Sequence, residues 1–343
     1  MYLNTDYIEP QELTGYAREA LADLPQNQFG LSAFLPNRPI DDLEYRFTRG
    51  GEGLAEAATF RTYDAESGIG SRPGISRVSG QLPPISRKIR LGEYDRLRQR
   101  KANDAIVNGL FTDAERMTRA VAARIELARG EALYSGKLTI DENGVIATVD
   151  FGRKNTHSTS AGVLWSSHST AKPISDLLSW KKTYVASNDG TLPGAVIMST
   201  EAFQNAVMCD EVRSLASVGA MVPSIISQAT FTAMLSAYGI PPVVINDAQV
   251  SVGGSATRVI PEKGVILAPA PSDDPENSPL GATLWGTTAE SLEPGYNLSG
   301  DEPGIVAGVY STNDPVALWT KAAAIALPVL ANPNLTFRAD VLA

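Results

Sequence analysis

The sequence predicts an α+β fold, and three stretches predict it. They are a long amphipathic helix over 112–134, an alternation of helices and strands over about 175–255, and strands almost alone from residue 256 to the end. In the first stretch, TDAERMTRAVAARIELARGEALY, Thr112 and Glu115 stand in the S/T-x-x-E relation of a capping box, which satisfies amides that a helix start leaves unpaired. Ala114, Met117, Val121, Ile125, Ala128 and Ala132 recur at spacings of three and four and form one apolar stripe. Arg116, Arg119, Glu126 and Arg129 fall off that stripe and are expected outside. Gly136 can take the left-handed conformation that closes a helix. At 1.5 Å per residue the rod is roughly 34 Å long, more than a small domain needs. An extended structure is being braced.

Before the rod, residues 1–40 mix Pro10, Pro25, Pro36 and Pro39 with scattered apolar residues, and one short helix fits around 12–21. Such an arm has no core of its own and is expected to dock on another surface, for instance a neighbouring subunit. From Asp42 to about Leu91 the chain turns Gly-rich, with short alternating runs such as 58–63. This predicts two ribbon strands around a tip near 67–74, an excursion of a length that is commonly functional. The run SRKIRLGEYDRL, 86–97, predicts a strand end entering a short helix, with another short helix near 102–110.

After the rod, Asn143-Gly144 between β-branched runs predicts a hairpin. Residues 152–172 are polar and irregular and hold both histidines, His157 and His168. Pro173 suits the first turn of a helix whose Ile174, Leu177, Leu178, Tyr184 and Val185 share a face. A strand at 195–198, helices near 200–209 and 227–238, a turn near 212–218 and a strand at 243–246 make a compact α/β unit inserted after the hairpin. The last stretch predicts strands at 257–260, 265–268, 282–285, 305–310, 316–327 and 336–341. The alanines of 319–327 suit a helix too, but Pro315 and Pro328 bracket the run and favour a buried strand. The stripe of the rod has its expected partner in the strands after Ile305, far away in sequence.

Net charge is −9 and the pI about 4.9, which disfavours general affinity for nucleic-acid phosphates. The distribution says more. Residues 46–101 hold twelve Lys or Arg against six Asp or Glu, residues 1–45 hold two against eight, and 264–314 hold eight acidic residues and no basic one. A basic arm and acidic surfaces suit contact between copies of the chain, with opposite potentials setting register.

Material for catalysis is sparse. The single Cys209 allows no internal disulfide and no thiolate cluster, which suits a reducing compartment. His157 and His168 lie eleven apart with no H-E-x-x-H, so they are expected to be solvated loop residues rather than zinc ligands. Gly68, Gly70 and Gly74 miss the dinucleotide-loop spacing, and 130–137 misses the Walker spacing. There is no G-x-S-x-G elbow. Asp273-Asp274 with Glu276, and Asp301-Glu302, lack calcium-loop spacing and are expected to be solvated turns. The N-terminus is no signal peptide, and the most apolar late run, 316–331, is too short and too interrupted to cross a bilayer. The sequons at Asn297 and Asn334 are expected to be chance matches. No enzyme, cofactor or metal site is predicted.

The order of these parts, with the runs ISRKIRLGEYDRLRQRKANDAIVNGLFTDAERMTRAVAARIELARGEAL (85–133), PGAVIMSTEAF (193–203), LGATLWGTT (280–288) and ALPVLANPNL (326–335), resembles the major capsid proteins of tailed bacteriophages with the Hong-Kong-97-like fold, and within them the lambda-type major capsid protein E family. The resemblance implies an N-terminal arm (1–41), an extended E-loop (42–91), a peripheral domain (92–174) with spine helix 112–135, an axial domain (175–300) and closing strands that complete the peripheral domain (301–343). It implies hexamers and pentamers of an icosahedral phage head enclosing double-stranded DNA without sequence-specific binding, assembled in the host bacterial cytoplasm. A scaffolding protein, a portal and a decoration protein are the implied partners besides the chain itself. An encapsulin-type compartment is the alternative within the fold. The E-loop is then expected to reach a neighbour through Arg61, Arg72, Arg77 and Arg87, while Met117, Val121, Ile125 and Ala128 form the core of the spine helix. Lys88 is the only lysine in 42–91, so an isopeptide crosslink from the loop is not expected. Only about 40 residues precede the loop, so a cleaved scaffolding segment is not expected either.

Overall fold

A computed structural model describes residues 2–22, 29–50, 75–99, 103–142, 145–217, 225–272, 274–298 and 303–343. The chain opens with β1 (Tyr2–Leu3), α1 (Pro10–Ala22), a 3-10 turn (Gly30–Ala33) and β2 (Asn37–Pro39). Next come β3 (Glu44–Gly50), β4 (Ile75–Gln81), β5 (Pro84–Leu91), α2 (Glu93–Gln99) and the long α3 (Asn103–Ser135). The hairpin β6 (Lys137–Glu142) and β7 (Val145–Asp150) leads through β8 (Ser158–Ser160) to α4 (Pro173–Ser187), β9 (Ala195–Met198), α5 (Thr200–Met208), α6 (Asp210–Leu215), α7 (Gln228–Ala237) and β10 (Val243–Ile245). A second hairpin, β11 (Gln249–Val252) and β12 (Ser255–Arg258), precedes β13 (Gly264–Ala268), β14 (Gly281–Gly286), β15 (Val306–Asn313), β16 (Val316–Leu330) and β17 (Phe337–Asp340).

The rod begins nine residues earlier than its capping-box pattern predicts. α3 has 33 residues and is roughly 50 Å long. Thr112 does not cap it: its hydroxyl donates to the Asn108 carbonyl at 2.9 Å, one turn back inside the helix. The reason is packing. Ile106 and Leu110 are buried and extend the stripe backwards at four-residue spacing from Ala114, so helix and core continue straight through Thr112. A second expectation fails in the same element. Glu126 is 0% exposed and Arg129 5%, although both lie off the apolar stripe.

β16 is a strand as expected, but only Pro315 borders it: it runs past the expected end at 327, through Pro328 opposite Thr283, to Leu330. It is the axis of a six-stranded sheet of order β1-β15-β16-β14-β2, with β5 paired to its other side. Leu318, Thr320, Ala322, Ala324 and Ala326 alternate inward and are buried, and α3 packs over this face. Met117, Val121 and Ile125 lie there with Ile305, Ala307 and Val309. The mostly small side chains of the strand let the helix run close to it along its length. α3 then leaves this core. Ala128, Ala132 and Leu133 belong to a second core beneath the five-stranded sheet β10-β9-β13-β17-β8.

That second sheet takes the helices α4 to α7, and its interior is aromatic. Trp165, Tyr184, Phe231 and Phe337 are buried completely or nearly so, and Trp180 stacks between Trp165 and Phe337 with ring centroids 6.1 Å from each. Sheet membership does not follow position in the chain. β14 lies in the large sheet with β16, while the last strand, β17, pairs with β13 and β8 in the small one. The irregular segment 152–172 is packed rather than solvated: Trp165 and His157 are 0% exposed.

The N-terminal arm docks on its own subunit. Leu13, Thr14 and Ala17 of α1 are buried against α3 and β15, and Tyr16 meets Phe111 edge-on at 4.9 Å. The outer edge of β15 is thereby sealed. β1 pairs with Tyr310 and Ser311, and the Asn4 amide donates to Val309. The Thr14 hydroxyl donates to the Ala307 carbonyl at 3.0 Å and accepts the Ala307 amide at 3.2 Å, and Arg18 donates to the Ile305 carbonyl. A bare strand edge is a template for unwanted pairing, and here side chains and arm residues occupy it.

Candidate functional site

The basic ribbon is built from β3 and β4, antiparallel in register from Glu44 opposite Gln81 to Gly50 opposite Ile75, and these strands pair with no other strand among the described residues. Its expected tip, the run 58–63, Arg61 and Arg72 lie outside the described residues. Arg77 sits opposite Thr48 in β4. Arg87 is in β5 opposite Ala322, exposed and without an ion pair among the described residues. The structure therefore puts Arg77 on the ribbon and Arg87 on the large sheet, in different sheets.

Beyond the ribbon, β5 adds positive groups that charge counting alone does not position. Alternation puts Ile85, Ile89 and Leu91 against the core and Ser86, Lys88 and Arg90 on the outer face. There Lys88 Nζ stands 4.7 Å from the ring centre of Trp319 and the Arg90 guanidinium 5.9 Å from it, two cation–π contacts to one indole. Lys321, beside Lys88 in register, is neutralised by Glu290. On α2, Tyr94, Leu97 and Arg98 share an exposed face. The acidic segment lies elsewhere. Asp274 holds an exposed turn, its carboxylate accepting from the Glu276 and Asn277 amides and from Asn277 Nδ2.

Two buried polar clamps hold these surfaces in position. In the first, Arg129 donates Nη1 to Glu126 at 3.1 Å, Nε to Thr283 Oγ1 at 2.8 Å and Nη2 to Asn37 Oδ1 at 2.6 Å. Glu126 also accepts the Leu31 amide at 2.8 Å, and Asn37 accepts from Trp285 Nε1. Burial pushes the Glu126 carboxyl up and the Arg129 guanidinium down, each opposed by the other's charge. This one pair ties α3 to the end of the arm, β2 and β14. An ionic pair three apart on a helix reads from sequence as a solvated i,i+3 pair; the signal that it is buried comes only from the strands laid over it.

In the second clamp, Arg153 closes the C-terminus of α3, donating to the carbonyls of Leu133 and Tyr134 and to Thr336 Oγ1. Burial first, and the Arg338 charge second, lower its pKa to about 10. Arg338 covers the Tyr134 ring, and Asp340 accepts from Tyr134 and Arg338. His157 donates its Nδ1 to the Thr336 carbonyl at 3.1 Å, while its buried Nε2 has no partner. His168 is half-buried against Asn205. The helix that braces one sheet is thus locked at its end to the other.

Nothing in these arrangements reads as a reaction centre. Burial first, then the charges of Glu211, Asp210 and Asp176, raise the Cys209 thiol to about 12, far from a nucleophile at neutral pH. A cavity of about 180 Å³ between β5, α3 and β16 is lined by Ile85, Ile125, Ala128 and Leu327, with the Arg124–Glu142 ion pair at its wall. Among the described residues there is no group of three or more metal-ligating side chains, and no helix is long and apolar enough to cross a membrane.

Comparison with known proteins supplies the family. The profile of phage major capsid protein E matches residues 19–341. Among solved structures, a capsid protein assigned to a prophage of Escherichia coli CFT073 superposes with a TM-score of 0.64 at 15% identity, covering 100% of both chains. A phage-related protein of Bordetella bronchiseptica RB50 superposes with a TM-score of 0.58 at 15% identity, covering 95% of this chain and 94% of its own. No curated protein matches by sequence search. With its ribbon, long helix and two sheets, the chain has the Hong-Kong-97-like capsid fold and belongs to the phage major capsid protein E family.

Proposed function

We propose that the chain self-assembles into hexamers and pentamers that build an icosahedral phage head around double-stranded DNA. The observation that carries this reading is the match of the capsid family over 19–341, because it spans ribbon, helix and both sheets rather than one module. In this reading 1–41 is the N-terminal arm, 42–91 the E-loop, and α3 with the large sheet the peripheral domain. The unit of α4 to α7 on the small sheet is the axial domain, with β17 returning to it. The E-loop lies on a neighbouring subunit, with Arg61, Arg72 and Arg77 facing acidic surface there and Arg87, on the large sheet at the base of the loop, continuing the basic surface. The work of the protein is structural: packed DNA is enclosed by a chain of net charge −9, whose field does not hold phosphates to the wall. A scaffolding protein, a portal and a decoration protein are the partners of such a head, which forms in the host cytoplasm and ends in the virion.

Electron microscopy of the purified chain tests this. Shells, tubes or capsomers are the expected result, and a monomer under every condition of concentration and salt overturns it. Co-purifying nucleic acid, rather than an enclosed enzyme, separates a head from a protein compartment.

A further inference from the structure

β16 gives the large sheet two distinguishable ends. At one end Leu91 stands opposite Leu318, and α2 follows at once. At the other, Gly281 stands opposite Leu330, and the turn around Asp274 precedes it. The two positions are twelve residues apart on one strand, about 40 Å at ~3.3 Å per residue. Their charges are opposite. Residues 87–98 hold five basic and two acidic groups, a local +3, and 272–279 hold three acidic and none basic, a local −3.

At the basic end no ion pair neutralises these charges among the described residues, Lys321 apart. Lys88 and Arg90 both stand over the Trp319 ring and Arg98 is exposed, none of them in an ion pair among the described residues, while Lys321 is consumed by Glu290. On α2, which follows β5 at once, Tyr94 is 74% and Leu97 56% exposed. β5 has one strand partner, β16, among the described residues, so its far edge is open where the far edge of β15 is sealed. Cationic residues on such an edge discourage strand addition but leave the surface free for docking. At the acidic end the turn is already rigid, since the three bonds to the Asp274 carboxylate fix it.

We propose that Lys88 and Arg90 of β5, together with the exposed Tyr94, Leu97 and Arg98 of the adjoining α2, receive the Asp274–Glu276 turn of a second copy of this chain. Opposite patches on opposite ends of one subunit make a heterologous, head-to-tail contact, which closes into a ring when the rotation per subunit allows it. Exposed Tyr and Leu supply the desolvated centre and the charges supply orientation. The inference rests on the assembly reading above and names a contact within it.

Charge exchange tests the contact. Arg90→Glu with Arg98→Glu reverses one end. Asp273→Lys with Glu276→Lys takes the other from −3 to +1 and keeps the Asp274 carboxylate. Each is expected to cut shell yield about tenfold at low salt, with the circular dichroism of the folded chain unchanged. All four substitutions in one chain restore the pairing with its signs exchanged, −1 against +1, and are expected to return yield to within about twofold of the parent. Normal yield from the single-end variants, or a combined chain no better than the worse of them, overturns the contact. Shells that form normally from the Arg90→Glu/Arg98→Glu chain but lose their DNA assign the patch to nucleic acid and overturn it as well. A parent chain that forms no shells removes the assembly reading itself, whereas assembling parent and indifferent variants remove this contact alone.

Discussion

The two sheets solve the same burial problem with different side chains. Under the large sheet the facing positions are Ala17, Ala114, Ala307, Ala322, Ala324 and Ala326, with Met117, Val121 and Ile125 between them. Under the small sheet they are Trp165, Trp180, Tyr184, Phe231 and Phe337. Small residues let a long helix and a long strand approach closely from Ile106 to Ile125, so each residue contributes little and the length of the contact supplies the total. Large rings put much apolar area into a compact unit, concentrated in a few residues. The long thin region is therefore sensitive to added volume and the compact one to removed volume, and the clamps at Arg129 and Arg153 couple them.

The largest effect is expected at the first clamp. Arg129→Met leaves Glu126 buried and unpaired and should cost about 3–5 kcal/mol in urea unfolding, whereas Glu126→Met with Arg129→Met should recover much of that loss. A cost under about 1 kcal/mol would show that the pair does not couple arm, helix and sheet. Trp180→Ala should cost about 3–5 kcal/mol by opening the aromatic stack. If the two regions unfold as one unit, both variants lower the same transition; two separated transitions would break the coupling. In the other direction, Ala322→Leu should cost about 1–3 kcal/mol by forcing α3 away from β16, and a stabilised variant would refute the close-approach account.

Smaller effects come from single polar groups. Thr14→Val keeps the shape of the side chain but strands both Ala307 backbone groups, and should cost about 1–3 kcal/mol as the arm loosens from β15. Protease access to the arm should rise with it. The pH dependence has two windows. Burial lowers the His157 pKa below its ordinary value, so the unfolded chain takes up a proton first as pH falls from neutrality through 6.5, and stability declines there. Asp340 behaves oppositely. Burial raises its carboxyl, but the bonds from Arg338 and Tyr134 with the charges of Arg338 and Lys263 prevail and hold it below the ordinary value. Its contribution is complete above the unfolded pKa near 3.8 and is lost as pH falls through the folded one. His157→Asn, which offers an amide donor to the Thr336 carbonyl, should flatten the first window and leave the second; an unchanged slope between pH 7 and 5 would remove His157 as its source.

Periodicity was enough to read the helices and strands themselves. The three-four stripe of α3, the β6–β7 hairpin, Pro173 at the start of α4 and the strand β16 after Pro315 all follow from local rules of backbone and side-chain direction, which act within a few residues. The family resemblance was legible for the same reason, since it lies in the order of such parts. Of the surfaces, sequence showed that positive charge gathers in 46–101 but not that Lys88 and Arg90 stand over Trp319, a residue more than two hundred positions away.

What tertiary structure alone decided is where polar groups stop being surface. Glu126 and Arg129 look solvated on any helical wheel, yet β2 and β14 arrive from both directions in the chain and enclose them. His157 looks like a loop residue until Thr336 and Phe337 close over it. Thr112 fits a capping box, but the buried Ile106 and Leu110 extend the helix past it. The arm, too short to hold a core, finds one on its own β15. Local spacing fixes which face a residue takes; whether that face meets water depends on segments distant in the chain, and no local rule carries that information.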